Sequence, residues 1–330
     1  MSEQTLRIAA HLTRRARWRT REIAFWLGLV ALIFAIPSRA LLINEFLIAG
    51  LFALSLDLIL GYAGLISLGH AAFLGVGAYG AGILASGGVG DPLVGLALAS
   101  LAAGLAGLIT APLLLRGSDL TRLMVTLGVC LMLGELANRN SWATGGADGL
   151  NFSIAPIFGL FPIDFTGQHN AALYSLAVLF VLFVAARRLV QSPFGLSLRA
   201  IKENRLRAGA LGISPSRRLI AIYALAAAYA GAAGALLAQT TQIVSLDVFD
   251  FHRSADVMLM LVIGGAGYLY GGLLGSAFFI VLRDGLSTMT PEFWEFWIGL
   301  LLVLLVLVGR ERIGEKIADL SRRLIRRGAG

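Results

Sequence analysis

Apolar stretches close to the length of a bilayer crossing follow one another along this chain, and that pattern constrains its fold more than any other feature. The plainest, LVGLALASLAAGLAGLITAPLLL at 93–115, has no charged residue. A helix needs about 20 apolar residues to cross about 30 Å of hydrocarbon. A soluble core of similar size would interleave polar residues, and only 14% of this chain is charged against 58% hydrophobic, where an ordinary soluble domain carries about a quarter charged residues. Backbone N–H and C=O groups in lipid must be satisfied within the spanning segment, so helices are expected. The other spanning solution, a β-barrel, needs short strands of alternating polarity, which the 93–115 run lacks. The expected fold is an all-α integral membrane protein, a polytopic bundle of about ten spans.

Spans are expected at 22–38, 41–60, 69–88, 92–115, 119–137, 171–187, 219–240, 254–268, 270–284 and 293–309. Basic residues set their direction. Six of the 27 lie in 7–21, eight in 187–218 and seven in 310–327, each cluster beside an apolar run. That is positive-inside patterning, and it argues against the stripe on a soluble domain that nucleic acid would require. Five crossings from a cytoplasmic N-terminus place the connection 138–170, with Arg139 as its one basic residue, outside. Returning the basic tail to the cytoplasm requires splitting Asp256–Asp284 at GGAGYLYGG. The expected organisation is a basic cytoplasmic segment 1–21, a first helix group 22–137, a periplasmic loop 138–170, a second helix group 171–309 containing a cytoplasmic loop 187–218, and an amphipathic cytoplasmic tail 310–330. Residues 1–36 imitate a secretory signal, but spans follow at once, so an uncleaved first span is expected.

Small residues recur at helical spacing, Ala71, Gly75, Ala78 and Gly82 in one span and Ala224, Ala228, Gly231, Ala235 and Ala238 in another. Such stripes let helices approach closely. Gly267, Gly271 and Gly275 either pack in the same way or break the chain between two short spans.

Polar residues inside apolar runs are the candidates for function, because burying them costs free energy. Asp57 and Glu135 fall within spans, with Glu45, Asp256 and Glu295 nearer span ends; interhelical hydrogen bonding is the default role for these carboxylates. His70, in Ser67-Leu68-Gly69-His70, needs a polar partner, either structural or beside a pathway. His11, His169 and His252 lack metal-ligand spacing, and the single Cys130 permits no intrachain disulfide. GVGAYG at 75–80 copies a dinucleotide-binding pattern but sits in an apolar helix with no strand before it, and no phosphate-binding G-x-x-x-x-G-K-[ST] motif occurs. ATP hydrolysis, if transport uses it, must then lie on another chain. In the loop, LSLRAIKENRLRAGAL reads as one short amphipathic helix ended by Gly212, with Leu198, Ile201, Leu206 and Leu211 on its apolar positions.

SLDLILGYAGLISLGHAAFLGVGAYGAGIL (55–84), SPFGLSLRAIKENRLRAGALGI (192–213) and MLVIGGAGYLYGGLLGSAFF (260–279) together resemble, in order, branched-chain amino acid ABC transporter permeases of the LivM type. The resemblance implies an ABC importer permease in the bacterial inner membrane with both termini cytoplasmic. It implies four kinds of neighbour: a homologous second permease, two cytoplasmic ATPase subunits that bind the ATP, a periplasmic solute-binding protein and the lipid bilayer. No cofactor, metal or nucleic acid is expected in the chain itself. By position, Arg199, Glu203, Leu211 and Gly212 fall in the ATPase coupling loop, where Gly209 replaces a bulkier residue. Gly64, Ser67, Gly69 and His70, with Asp57, fall beside the expected translocation path. Permeases of this kind also serve urea, amides, aromatic acids and sugars, and an ion-coupled secondary transporter is the alternative of another class.

Overall fold

The computed structural model describes residues 20–115, 117–156 and 167–308. Among the described residues thirteen α-helices run in chain order: α1 (Thr20–Ala35), α2 (Ala40–Ala63), α3 (Ala71–Ser86), α4 (Pro92–Leu114), α5 (Asp119–Arg139), α6 (Ser141–Thr144), α7 (Gln168–Gln191), α8 (Pro193–Glu203), α9 (Arg205–Ala210), α10 (Pro215–Thr241), α11 (Phe251–Gly264), α12 (Leu269–Met289) and α13 (Trp294–Val308). A two-stranded antiparallel pair, β1 (Leu150–Asn151) and β2 (Ile243–Val244), ties the connection after α6 to the one after α10. Phe278 onward forms a second compact unit, and the packing described below belongs to the first. The tail helix expected at 310–330 lies outside the described residues.

Helix starts follow local chemistry. Asp91 accepts the N–H groups of Leu93 and Val94 and is followed by Pro92, so α4 begins there; Ser118 and Ser192 cap α5 and α8 in the same manner. Gly64, with φ +71°, ends α2 in the left-handed region.

Among the described residues six helices are long and apolar enough to cross a membrane: Pro37–Ala63, α4, α5, His169–Gln191, α10 and α12. The expected count of ten is not reached by this measure. Four expected spans form α1, α3, α11 and α13, of 16, 16, 14 and 15 residues. At 1.5 Å per residue their described residues cover roughly 21–24 Å, less than the hydrocarbon thickness. The expected break at GGAGYLYGG does occur, between α11 and α12, where Gly265 and Gly267 take φ +103° and +84°.

The long α10 is the hub, packing on α4, α3 and α2. Its small residues divide between neighbours. Ala228 and Ala224 meet Gly104, Ala227 meets Gly107, and Gly231 meets Ala103, all on α4. On the adjoining face Gly77 and Gly234 bring α3 and α10 into backbone contact, the first against Gly231 and the second against Leu74 and Ala78. Gly75 and Gly82, expected in that same stripe, instead lie against Phe249 and against Leu150 and Phe152. Both readings of the late glycines hold, because Gly267 makes the turn whereas Gly271 and Gly275 press against Gly264 and Met260.

Arg187 on α7 donates to Glu22 on α1 at 2.7 Å, with side-chain exposures of 8% and 20%. Removing one partner of a shielded pair costs more than removing both. Arg187→Met is therefore expected to destabilise the chain by roughly 3 kcal/mol, and Arg187→Met with Glu22→Met by clearly less. Denaturation of the purified variants in mild detergent checks the ordering.

Candidate functional site

α2 runs to Gly64, and residues 64–70 then turn back along it before α3 begins. Ser55 lies eight residues before the end of α2, roughly 12 Å along the helix, and its hydroxyl meets His70 Nε2 at 2.8 Å. The same hydroxyl donates its single hydrogen to the Phe52 carbonyl at 2.6 Å. It must therefore accept from His70, which places a hydrogen on Nε2. Nδ1 is buried without a hydrogen-bond partner. The ring stacks on Phe52 (5.4 Å, interplanar 11°) with Phe73 edge-on at 5.8 Å. His70 is thus an imidazole flanked by apolar rings, and no group of three or more histidine, cysteine or acidic residues suited to a metal occurs among the described residues.

α3 and α11 begin beside each other inside the bundle. The N–H of Ala71, the first residue of α3, donates to Ser254 Oγ at 2.9 Å, near the start of α11. Thr126 on α5 closes the third side, since its hydroxyl accepts from the Leu68 N–H at 3.2 Å. Its carbonyl lies so close to Gly69 that a Cβ would overlap it. Ser67 is buried. Cys130 donates to the Phe249 carbonyl at 3.1 Å, consistent with a small packing residue.

Asp57, about half a turn beyond Ser55, and Gly64, the cap of α2, make different contacts. Asp57 is buried; its Oδ1 accepts the Gly267 N–H at 2.6 Å and its Oδ2 has no hydrogen-bond partner. Gly64 lies under the side chain of Lys202. The five path candidates therefore form two clusters rather than one. A polar cavity of about 240 Å³ near the second cluster is lined by Tyr62, Arg187, Gln191, Arg199 and Tyr268 among others, and by none of the five. Glu135, expected to face the bundle, is exposed and paired with Arg139 at 2.7 Å one turn on. An i,i+4 partner satisfies it on the helix surface.

The loop after α7 also departs from expectation, because two helices replace the single one read from the sequence. Asn204 takes φ −157°, ψ 104° and accepts the Arg207 N–H at 2.9 Å, ending α8 and capping α9. Asparagine competes for backbone groups in this manner. The break divides the four apolar positions: Leu198 and Ile201 are buried, whereas Leu206 and Leu211 are 88% and 74% exposed. Arg199 sits over the Tyr62 ring at 5.2 Å, Glu203 is exposed, and Gly212 ends the segment at φ +82° with open space around it, as there is around Gly209. Sequence reading missed Lys202, Ser55, Ser254 and Thr126. Small hydroxyls within apolar runs read as packing residues, and nothing local shows which distant amide they meet.

The family model described as the branched-chain amino acid transport system permease component matches residues 18–308. The chain belongs to that permease family. Among curated relatives, the high-affinity branched-chain amino acid transport system permease protein LivM of Salmonella typhimurium is 32% identical over 282 residues, covering 77% of this chain and 64% of the relative. The protein of the same name from Escherichia coli K12 is 31% identical over 284 residues with the same coverages. This permease thus spans less than two thirds of the length of either relative. No solved structure matches it. The α8–α9 segment and the 64–70 turn lie inside the matched region of the permease, as does every candidate residue named above.

Proposed function

We propose that this chain is a membrane-spanning permease subunit of a binding-protein-dependent ABC importer, carrying branched-chain amino acids across the bacterial inner membrane. The observation that carries the reading is the α8–α9 segment. Leu198 and Ile201 anchor it to the bundle while Glu203, Leu206 and Leu211 point outward, the arrangement a helix needs to be moved by a partner. Cytoplasmic ATPase subunits are that partner, a second homologous permease completes the pore, and a periplasmic binding protein delivers the solute. ATP is bound by the ATPases. The ten helices that coincide with the expected spans cross ten times, with α8–α9 and both termini cytoplasmic.

The names of the relatives support leucine, isoleucine and valine as cargo; urea, amides, aromatic acids or a sugar are the alternatives that uptake assays separate. α3 and α11 start inside the bundle, as the broken helices of transporters do around a central site. Ser67, Gly69 and His70 line the moving turn there, and Asp57 and Gly64 hold its outer end. Arg199, Glu203, Leu211 and Gly212 supply the coupling surface.

Proteoliposomes should import radiolabelled leucine only when partner permease, ATPases, binding protein and ATP are all present. Gradient-driven uptake by the chain alone would overturn the reading in favour of an ion-coupled transporter. Labelling of a Glu203→Cys variant by an impermeant thiol reagent from outside intact cells would overturn the orientation.

A further inference from the structure

Lys202 is one residue before the end of α8, yet its ammonium donates to the Gly61 carbonyl of α2 at 2.7 Å, across 141 positions of sequence. That carbonyl belongs to the last turn of α2, whose carbonyls lack helical partners and carry the negative end of the helix dipole. The stem of Lys202 also lies on Gly64, where its Cγ would stand 3.0 Å from an added Cβ. One lysine thus grips the last turn of α2 at two points.

Gly61 touches a second group. A Cβ there would overlap Asp57 Oδ1 and the Gly267 backbone N–H, the two atoms joined by a 2.6 Å hydrogen bond. Asp57 is buried with one oxygen lacking a hydrogen-bond partner, and the Lys202 ammonium sits on the same last turn of α2. A buried carboxylate needs such a counter-charge. Gly267 in turn sits in the left-handed turn between α11 and α12. A continuous path therefore runs from Lys202 through Gly61 and Asp57 to Gly267. At Gly64 a branch enters the 64–70 turn that positions Ser67, Gly69 and His70.

We infer that Lys202 is the positioning residue that ties movement of α8 to the two turns, 64–70 and 265–268, at which α2–α3 and α11–α12 are broken. The inference deepens the proposed function and rests on α8–α9 being the element the ATPases move. α8 also touches the bundle through the buried Leu198 and Ile201, apolar contacts that can slide, and through Arg199 over the Tyr62 ring. Lys202 supplies a directional bond to a backbone carbonyl, which cannot slide without breaking.

The test uses the assembled transporter carrying Lys202→Met, Lys202→Arg, or Lys202→Met with Asp57→Asn. Leucine imported per ATP hydrolysed is expected to fall about tenfold in Lys202→Met, with ATPase subunits still bound, and to recover largely in Lys202→Arg, which keeps the donor and the charge. In the double variant the charge imbalance is gone but the tie is still missing, so its ratio must remain low. A second readout needs no partner: hydrogen exchange of the isolated Lys202→Met chain in nanodiscs should quicken at 61–70 and 264–268. A ratio that stays normal in Lys202→Met or in the double variant, or uptake and hydrolysis falling in step, would overturn the inference. Unchanged exchange in both turns would overturn it as well. Glu203→Arg separates the two levels: normal coupling there sinks the docking reading itself, whereas loss of coupling there with normal coupling in Lys202→Met sinks only the tie.

Discussion

Gly234→Leu is expected to leave no stably folded chain in the membrane. Gly234 lies in the C-terminal half of α10 against α3, and even a methyl group there would overlap the Leu74 carbonyl and stand 2.9 Å from the Ala78 nitrogen. Both are helix backbone atoms, so no side-chain rotation relieves the clash. The helices must separate, and separation also breaks the neighbouring contact in which Gly77 meets Gly231. In lipid there is little hydrophobic drive to hold helices together, so close packing of small residues carries much of the association. Loss of that packing along α10, the hub of the bundle, should cost more than about 4 kcal/mol, at the far end of what single substitutions do. The check is expression as a fusion with a fluorescent protein and gel filtration in mild detergent: a monodisperse wild-type peak against an aggregated or absent variant peak. Gly128→Ala, on α5 with nothing within 4 Å of the new methyl, serves as the control and should elute as wild type.

Why Gly234 and Gly77 were not singled out in the sequence shows what a sequence of this kind gives and withholds. Helix positions were legible because apolar runs of membrane length recur along the chain, although caps such as Asp91 and Ser192 set the starts seen in the structure. The break at Gly265–Gly267 was legible from charge parity, which needed an extra crossing. Partner choice was not legible. A stripe of small residues says that a backbone comes close, not which one, and on α3 the stripe through Gly75 and Gly82 turned out to face aromatic and loop residues while Gly77 met α10. Glu135 misled because a carboxylate in an apolar run usually faces inward, yet Arg139 one turn on lets it stay on the surface. For the candidate site, His70 and Asp57 were visible as expensive residues in apolar surroundings. Their partners Ser55 and Gly267 lie 15 and 210 positions away, separations that no periodicity encodes, and His70 turns out to be bound to Ser55 without direct contact to Asp57 in the hydrogen-bond pattern.

Replacing Leu206 and Leu211 together by serine is expected to release the ATPase subunits while leaving the chain itself folded. Each leucine is almost fully open, at 88% and 74% exposure, on a six-residue helix and its cap that touch the bundle through the buried Ala208. Substitutions at such positions usually change stability by no more than about 0.5 kcal/mol. Binding is another matter, since fully burying a leucine against a partner contributes about 1.5–3 kcal/mol. Losing two should therefore weaken docking by about 3 kcal/mol or more, roughly a hundredfold in Kd. The split of the segment at Asn204 sharpens the expectation. Had α8 and α9 been one helix, Leu206 would have lain within about 80° of Leu198 and could have turned toward the bundle beside it. Because Asn204 ends α8 and restarts the chain in a new direction, Leu206 and Leu211 are left facing outward, where only a partner or the membrane surface can cover them. The experiment is co-purification of the ATPase subunits with the Leu206→Ser/Leu211→Ser variant, paired with vesicle flotation of the variant lacking them. Loss of the ATPases with an unshifted gel-filtration peak is the expected result. Full retention of the ATPases would show that these side chains lie on the bilayer instead, and would move the docking surface to Glu203 and the end of α8.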